Sequence, residues 1–451
     1  MRRQQQDKRS RALVTSLRSI AVVALPLAVS LAAAGCQPPA ATSVNSNSVW
    51  AAYESKAAAD SERAGGAATP GGLPSSSVGV SGSGAPTSPA PTSPASSTPT
   101  ASAHSSTNAA TQVLVPASDK RTLRKVARMV GPYSPKSVTA SGFGTVIAAN
   151  MMYRHSISVF SSDGRLRKTV RDSVDLRKFG VPGAKAGMAK GAPVETAFSP
   201  DGQTAWISNY AMYGAGFGPE GTDDCPGRNS LSPSYLYRLD VRSKTITGVV
   251  KVGKTPKYVA ATPDGKYVLV SNWCSYDLSI VDTASLKQVA TIPLGPHPRG
   301  IAITKDSSTA YVAVMGGAGI RVVNLRTRTA TWIHGTGVAP RHVVLSPDER
   351  WLYVSVNGTG QVVKVDRLRR KVVARATTGS QPRSLAIAPD GRSLYVVNYA
   401  SGTMSKLRSS DMHVIETVKT DVHPIGITYD TVTNSIWVSC YHGVIYIFAD
   451  K

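Results

Sequence analysis

The sequence predicts an all-β fold, a seven-bladed β-propeller, because one pattern recurs at a fixed period. A proline followed by a short apolar run returns every 42 residues, at Pro256, Pro298, Pro340, Pro382 and Pro424. An aspartate lies eight positions after most of these prolines, usually in a turn such as Pro263-Asp264-Gly265, and a large residue follows five positions later. A period near 40 residues is typical of propeller blades.

Each unit is predicted to form four short antiparallel strands. Alternating β-branched and aromatic runs, for example residues 267–270 and 278–281, lie between turn signals, and this pattern indicates strands. Pro193 and Pro135 carry the same mark and bring the count to seven. The last unit has only three strands, whereas residues 121–130 resemble an outer strand without a blade. We therefore expect the N-terminal strand to complete the last blade and close the ring.

The repeat also carries a family resemblance. Residues Thr262-Pro-Asp-Gly-Lys-Tyr-Val-Leu-Val-Ser-Asn272 and Val281-Asp-Thr-Ala284 resemble the YVTN family of β-propeller repeats, and the resemblance covers residues 113–451. It implies the propeller fold. It implies no single activity, because propellers of this family serve several roles.

The first 35 residues have the pattern of a secretory signal. Six basic side chains are followed by the apolar run from Ile20 to Ala34, which is typical of an export signal. The run ends in Ala33-Ala-Gly-Cys36, which looks like a lipobox, so Cys36 is predicted to be lipidated. The alternatives are an ordinary cleavage site or an uncleaved anchor helix. The predicted location is the extracytoplasmic face of the cell membrane, with attachment through the lipid.

Residues 36–112 are predicted to be a disordered tether. They consist mainly of Ser, Thr, Pro, Ala and Gly, and such a segment buries too little apolar surface to offset the entropy of ordering. As a flexible coil it would reach on the order of 50 Å. The globular domain is therefore expected to occupy residues 113–451.

The predicted propeller is strongly basic. The chain has a net charge of +24, and residues 113–451 hold 43 basic and 23 acidic side chains. Such a surface attracts an anionic polymer or an acidic protein partner, and nucleic acid is a further possibility. The alternative is that the charge reflects composition and solubility alone. We expect a monomer.

Two spacings depart from the 42-residue rule and place extra chain over one mouth of the propeller. The distance from Pro135 to Pro193 is 58 residues, and that from Pro193 to Pro256 is 63. The extra residues fall near 171–190 and 210–234, in connections that emerge on the same face. The aromatic and apolar side chains of the second insertion are expected to form a lid: Tyr210, Met212, Tyr213 and Phe217.

The cysteines predict one disulfide in the propeller. Cys225 and Cys274 lie in equivalent connections of neighbouring blades, and an exported protein meets conditions in which disulfides persist. Cys440 falls within an inner strand and is expected to be a buried free thiol. The histidines, including His297 and His423, are expected in solvated loops. No metal site and no cofactor are predicted.

Five cations occupy one repeat position, directly after the repeat proline. Because the repeat places equivalent residues around one axis, these side chains are predicted to ring the mouth of the channel and to bind an anionic ligand: Lys136, Lys257, Arg299, Arg341 and Arg383. The alternatives are hydrogen bonds between blades or simple exposure to solvent.

These observations favour a non-enzymatic binding or scaffold protein for an anionic ligand or partner. The alternative function is that of a lactonase-type hydrolase on a seven-bladed propeller. Such an enzyme needs carboxylates, or a set of arginine, histidine and carboxylate, that converge in the channel. The repeat aspartates are expected on the opposite face, so Glu195 is the acid predicted near the basic mouth.

Overall fold

A computed structural model describes residues 116–151, 154–218, 225, 231–317 and 319–451. Seven antiparallel sheets form a ring, which confirms the predicted all-β, seven-bladed propeller. Within these residues no helix has the length and apolar character needed to cross a membrane. The predicted signal, the tether and Cys36 lie outside the described residues.

Strands are numbered in chain order, and the first, β1 (Leu123–Val130), belongs to the last blade. Blade 1 contains β2 (Ser137–Ala140), β3 (Thr145–Asn150), β4 (Ser156–Ser161) and β5 (Leu166–Arg171). Blade 2 contains β6 (Ser173–Val174), β7 (Ala189–Phe198), β8 (Thr204–Gly214), β9 (Tyr235–Asp240) and β10 (Thr245–Lys251). Blade 3 contains β11 (Pro256–Ala261), β12 (Tyr267–Asn272), β13 (Asp277–Asp282) and β14 (Lys287–Pro293).

The remaining blades follow the repeat closely. Blade 4 contains β15 (Pro298–Ile303), β16 (Thr309–Val314), β17 (Gly319–Asn324) and β18 (Thr329–Ile333). Blade 5 contains β19 (Pro340–Leu345), β20 (Trp351–Val356), β21 (Gln361–Asp366) and β22 (Lys371–Thr377). Blade 6 contains β23 (Pro382–Ile387), β24 (Ser393–Asn398), β25 (Thr403–Arg408) and β26 (Val414–Lys419), and blade 7 contains β27 (Pro424–Asp430), β28 (Ser435–Cys440) and β29 (Val444–Asp450). The described residues also contain short 3₁₀ helices at Ser118–Lys120, Leu176–Phe179 and Met315–Gly317.

The innermost strand of each blade lines the ring axis, and each of these strands touches its neighbours; in blade 2 this strand is β7. The contacts run from β2 through β7, β11, β15, β19, β23 and β27 back to β2. Blade 7 has the order β1-β29-β28-β27, in which Leu123 faces Asp450 and Val130 faces Val444. The prediction that the N-terminal strand closes the ring is therefore confirmed.

Large residues at one repeat position fill the space between blades. Tyr353, Tyr395 and Trp437 are almost completely buried, and each belongs to an apolar cluster with residues of a neighbouring blade. These side chains supply much of the burial that holds each blade against the next.

The repeat aspartates stabilise turns on the face opposite the basic mouth. The Asp264 carboxylate accepts hydrogen bonds from the Thr262 hydroxyl at 2.6 Å and from the backbone N–H of Lys266 at 3.1 Å. Asp306 accepts equivalent bonds from Thr304 and Ser308. Their role is to shape the turn.

The two stretches of extra chain predicted from the spacing both add strand to blade 2. The first insertion forms β6, which pairs with β7, and the 3₁₀ helix at Leu176–Phe179, so this sheet has five strands. The second insertion begins as a direct extension of β8. This extension pairs with β7, and Gly214 at its end lies opposite Ala189. Val174 and Leu176 pack into the core of the blade. Apolar side chains in the insertion explain why it folds onto the blade.

Three charged residues and one tyrosine join the first and last strands of the ring to blade 6; we call Arg121, Tyr395, Lys406 and Asp450 the closure cluster. The Lys406 ammonium lies 2.6 Å from the Asp450 carboxylate, and both side chains are fully buried. The Tyr395 hydroxyl donates to Asp450 at 2.7 Å, and the Arg121 guanidinium lies 3.7 Å from it. Lys406 also donates to the backbone carbonyl of Arg121 at 2.8 Å.

Candidate functional site in the central channel

A β-bulge at the start of the inner strands positions the channel side chains. The pairing of inner and second strands shifts directly after the repeat proline, for example between Pro256 and Tyr258 and between Pro340 and His342. A bulge sets two residues against one on the partner strand and interrupts the usual alternation of faces. The two residues after the proline are therefore both available to the channel.

Four of the five predicted cations meet at the axis together with Glu195; we call Lys136, Glu195, Lys257, Arg299 and Arg341 the channel cluster. All four cations are buried. The pKa of Lys136 is held well below its ordinary value by burial and then by the charges of Arg341, Arg299 and Lys257, while Glu195 acts in the opposite direction. Side chains from blades 2, 3, 4 and 5 thus lie close enough to Lys136, in blade 1, to shift its pKa.

Glu195 is the carboxyl group within this positive environment. Burial raises its pKa to about 7, and the charges of Lys136, Arg299 and Arg341 oppose that shift. The side chain is only partly covered, as expected for a group that lies deep in the domain but faces the channel. Glu195 is therefore poised to change its charge near neutral pH.

Tyr258 and His342 also reach the channel cluster, and sequence reasoning missed both. The His342 Nε2 atom lies 2.7 Å from the Tyr258 hydroxyl, although the two residues belong to blades 3 and 5. Burial, then the Glu195 charge, raises the pKa of Tyr258, and burial, then Arg341, lowers the pKa of His342 to about 3. Like Glu195, they occupy the second position after a repeat proline, and that shared position is the signal that could have found them.

Gly300, at the same second position, allows two inner strands to come close. A Cβ atom on this residue would lie 2.7 Å from the His342 Cα atom, which is closer than packed carbon atoms tolerate. Glycine here lets blade 4 lie against blade 5 next to the buried imidazole.

Aromatic rings hold several of the cations in place. The Lys257 Nζ atom lies 4.2 Å from the ring centroid of Tyr210, and the Arg299 Cζ atom lies 4.7 Å from that of Trp273. Arg383, the fifth predicted cation, lies over Tyr399 with its Cζ atom 3.7 Å from the centroid. Such contacts stabilise a cation where water is partly excluded.

Two sequence predictions about this region are wrong. The predicted apolar lid is not a separate loop: Tyr210, Met212 and Tyr213 belong to β8, because the strand continues through them, and Phe217 packs against the core of the blade. His297 is not a solvated loop residue: it stacks on Trp273 with centroids 4.2 Å apart, and burial, then Arg299, lowers its pKa to about 4. At the other side of the ring His423 stacks on Tyr399 at 4.4 Å.

The predicted disulfide between Cys225 and Cys274 is confirmed. Cys274 directly follows Trp273, and both pack in one apolar cluster with Met315 and Ala339. The bond therefore fastens the second insertion of blade 2 beside an aromatic ring that supports Arg299. Cys440 is a buried free thiol, as predicted.

Comparison with known proteins supports the fold. The family model described as "Cytochrome D1 heme domain", a β-propeller family, matches residues 310–440. The hydrazine synthase of Kuenenia stuttgartiensis has a similar solved structure, with a TM-score of 0.55 and 17% identity over 69% of this chain and 95% of that one. No curated protein sequence gives a significant match. The protein is a seven-bladed β-propeller.

The channel residues do not fit a haem held through an axial histidine. His342, the imidazole in the channel, has its Nδ1 atom on the backbone N–H of Leu385 and its Nε2 atom on Tyr258. In the described part of the chain no group of His, Cys, Asp and Glu is arranged to hold a metal ion.

Proposed function

We propose that this propeller is a binding protein that holds an anionic ligand in the basic mouth of its channel. One observation carries the proposal: three buried cations, from blades 3, 4 and 5, lower the pKa of Lys136, from blade 1. Like charges repel when water is excluded, and an anion bound among them would relieve that repulsion. Guanidinium groups suit this task, since each binds two oxygens of a carboxylate or sulfate.

The proposal includes the remaining sequence predictions. The repeats are of YVTN type, and Cys36 carries a lipid that anchors the domain to the extracytoplasmic face of the membrane. The tether at residues 36–112 then presents the basic mouth to an acidic partner. Conversion of Cys36 to Ser should release the protein from the membrane fraction, and unchanged fractionation with normal processing would refute the anchor.

Titration calorimetry with sulfate tests the binding function. Arg299→Ala combined with Arg341→Ala should weaken sulfate binding by about 100-fold or more, because each charged hydrogen bond contributes roughly 1.5–3 kcal/mol. The melting temperature checks that the variant keeps its fold, because the change removes the contact of Arg299 with Trp273 as well as repulsion between buried cations.

The matched control removes two exposed arginines, Arg326 and Arg392, and should leave sulfate binding unchanged. Binding should also weaken with added sodium chloride, through screening and competition by chloride. If both double variants bind sulfate as the parent does, the channel cluster is structural and the proposal fails.

A second candidate function is a lactonase-type hydrolase, favoured by the convergence of Glu195, Tyr258 and the arginines in one channel. Glu195 has a pKa suited to a general base at neutral pH. It would take a proton from water as the water oxygen bonds to the lactone carbonyl carbon. Tyr258 and Arg299 would stabilise the oxyanion, and protonated Glu195 would return the proton to the ring oxygen as the C–O bond breaks. Lactone hydrolysis by the parent but not by Glu195→Gln would support it.

A further inference from the structure

The hydrogen-bond network of His342 determines what Tyr258 offers to the channel. The backbone N–H of Leu385 donates to the His342 Nδ1 atom at 3.1 Å, so that nitrogen carries no proton. Because the imidazole is neutral, its single proton lies on Nε2 and is donated to the Tyr258 hydroxyl at 2.7 Å. The hydroxyl proton of Tyr258 must then point away from His342.

The orientation of this proton makes Tyr258 a fixed hydrogen-bond donor. Burial and the nearby charge of Glu195 raise its pKa, so the phenol stays protonated. The side chain is partly uncovered although it lies deep in the ring, which places it on the channel. A neutral donor held by a neighbouring histidine is pre-organised to meet an acceptor atom of a ligand.

The channel therefore offers several donors and a carboxylate acceptor at the same place. Arg299 and Arg341 donate through their guanidinium groups, and Tyr258 donates through its hydroxyl. Glu195 acts electrostatically on Tyr258 and is itself acted on by both arginines, so the four side chains share one environment. An ionised Glu195 only accepts hydrogen bonds.

We propose that the ligand is a small hydroxycarboxylate, whose carboxylate contacts Arg299, Arg341 and Tyr258 while a hydroxyl group donates to Glu195. The inference rests on the proposed anion-binding function and adds the ligand's second group. A ligand made only of acceptor oxygens, such as sulfate, offers no hydrogen-bond donor to Glu195 and is repelled by its charge. A hydroxyl group beside the carboxylate satisfies both halves of the site.

The test compares four probes by calorimetry on the full chain. Gluconate carries both a carboxylate and hydroxyl groups. Hexanoate carries only the carboxylate, and sorbitol carries only hydroxyl groups. Sulfate carries negative charge but no hydrogen-bond donor. Gluconate should bind about ten- to 100-fold more tightly than hexanoate, the range expected for one hydrogen bond to a charged acceptor. Sorbitol should not bind in the same concentration range.

Glu195 variants assign the preference to the carboxylate. Glu195→Ala should make gluconate and hexanoate equivalent, while sulfate binds more tightly because a negative charge is gone. Glu195→Gln, which keeps an acceptor oxygen, should retain part of the preference. The control Asp411→Asn removes an exposed carboxylate and should change neither ratio.

The outcomes separate this inference from the function on which it rests. If sulfate, hexanoate and gluconate bind equally well to the parent, or if the preference persists in Glu195→Ala, the hydroxycarboxylate assignment is overturned and anion binding stands. If none of the three anions binds, the proposed function itself fails. Because the four probes are compared on the parent protein, this part of the test does not depend on whether any variant folds.

Discussion

The channel cluster and the closure cluster both bury charged side chains, but they balance positive charge in different ways. In the closure cluster the Lys406 ammonium contacts the Asp450 carboxylate at 2.6 Å, away from solvent, and Tyr395 supports that carboxylate. In the channel cluster, three cations and one carboxylate act on Lys136, and the carboxylate faces the channel. The closure cluster therefore joins strands of the fold, whereas the concentrated positive charge of the channel cluster is the feature on which the proposed anion binding rests.

The largest expected effect breaks the closure cluster. Asp450→Ala leaves the Lys406 ammonium buried without its carboxylate and should lower the free energy of unfolding by about 3–5 kcal/mol. Urea unfolding measures the change. The combination Lys406→Met with Asp450→Asn removes both charges and should lie much nearer the parent; an equal loss in both variants would show that the ion pair is not the cause.

The next effect concerns the covalent support of the channel region. Cys225→Ser with Cys274→Ser opens a loop with a sequence separation of 49 and should lower the free energy of unfolding by about 2–4 kcal/mol. Since Cys274 adjoins Trp273, sulfate affinity should fall as well, in contrast to the closure cluster. Cys440→Ala serves as the control for loss of a thiol, and unaltered sulfate binding by the double variant would contradict the link to the mouth.

A smaller effect distinguishes the clusters by pH. Ionisation of Glu195 adds negative charge among Lys136, Arg299 and Arg341, next to Tyr258, so sulfate affinity should fall about tenfold as pH rises from 6 to 8. Sulfate does not titrate in this range, and loss of the Lys136 proton at higher pH acts in the same direction. Calorimetry across pH should show a flatter profile for Glu195→Gln; a profile equal to the parent's would exclude Glu195 as the source.

The smallest effect tests the rim of the channel mouth. Tyr399→Leu removes the ring under Arg383 and should weaken sulfate binding about two- to fivefold, because an exposed cation–π contact contributes roughly 0.5–1 kcal/mol. The matched control is Trp332→Leu. Trp332 lies on β18, the outer strand of blade 4, and its ring centroid is 4.2 Å from the Arg321 Cζ atom. This substitution should leave binding unchanged, and equal losses in the two variants would argue against a specific role for Arg383.

The fold was predictable because its characteristic residues recur at the same positions in each repeat. Pro256 and its equivalents start the inner strands, Tyr353 and its equivalents fill the gaps between blades, and each mark has the same physical task every time. The strand at Leu123–Val130 was recognisable because blade 7 lacked one. β6 was not predicted, since its two residues pair only when the insertion folds back onto blade 2.

The candidate site was only partly predictable. The cations share one chemistry at one repeat position, whereas the next position changes from Glu195 to Tyr258 to Gly300 to His342 and shows no pattern. The bulge brings both positions to the channel, so the second position becomes an informative signal only once the shift in strand register is known. The burial of His297 also depends on Trp273, which lies in another strand connection.

The pairing of β1 with β29 sets the order in which the protein can be completed during synthesis. The Arg128 Nε atom in β1 donates a hydrogen bond to the hydroxyl oxygen of Tyr446 in β29, which lies 318 positions later in the sequence. At roughly 5–20 residues per second, a ribosome needs about 16–64 s to make the intervening chain. Until β29 has been made, β1 lacks the strand with which it pairs, so the ring cannot close before that strand is synthesised.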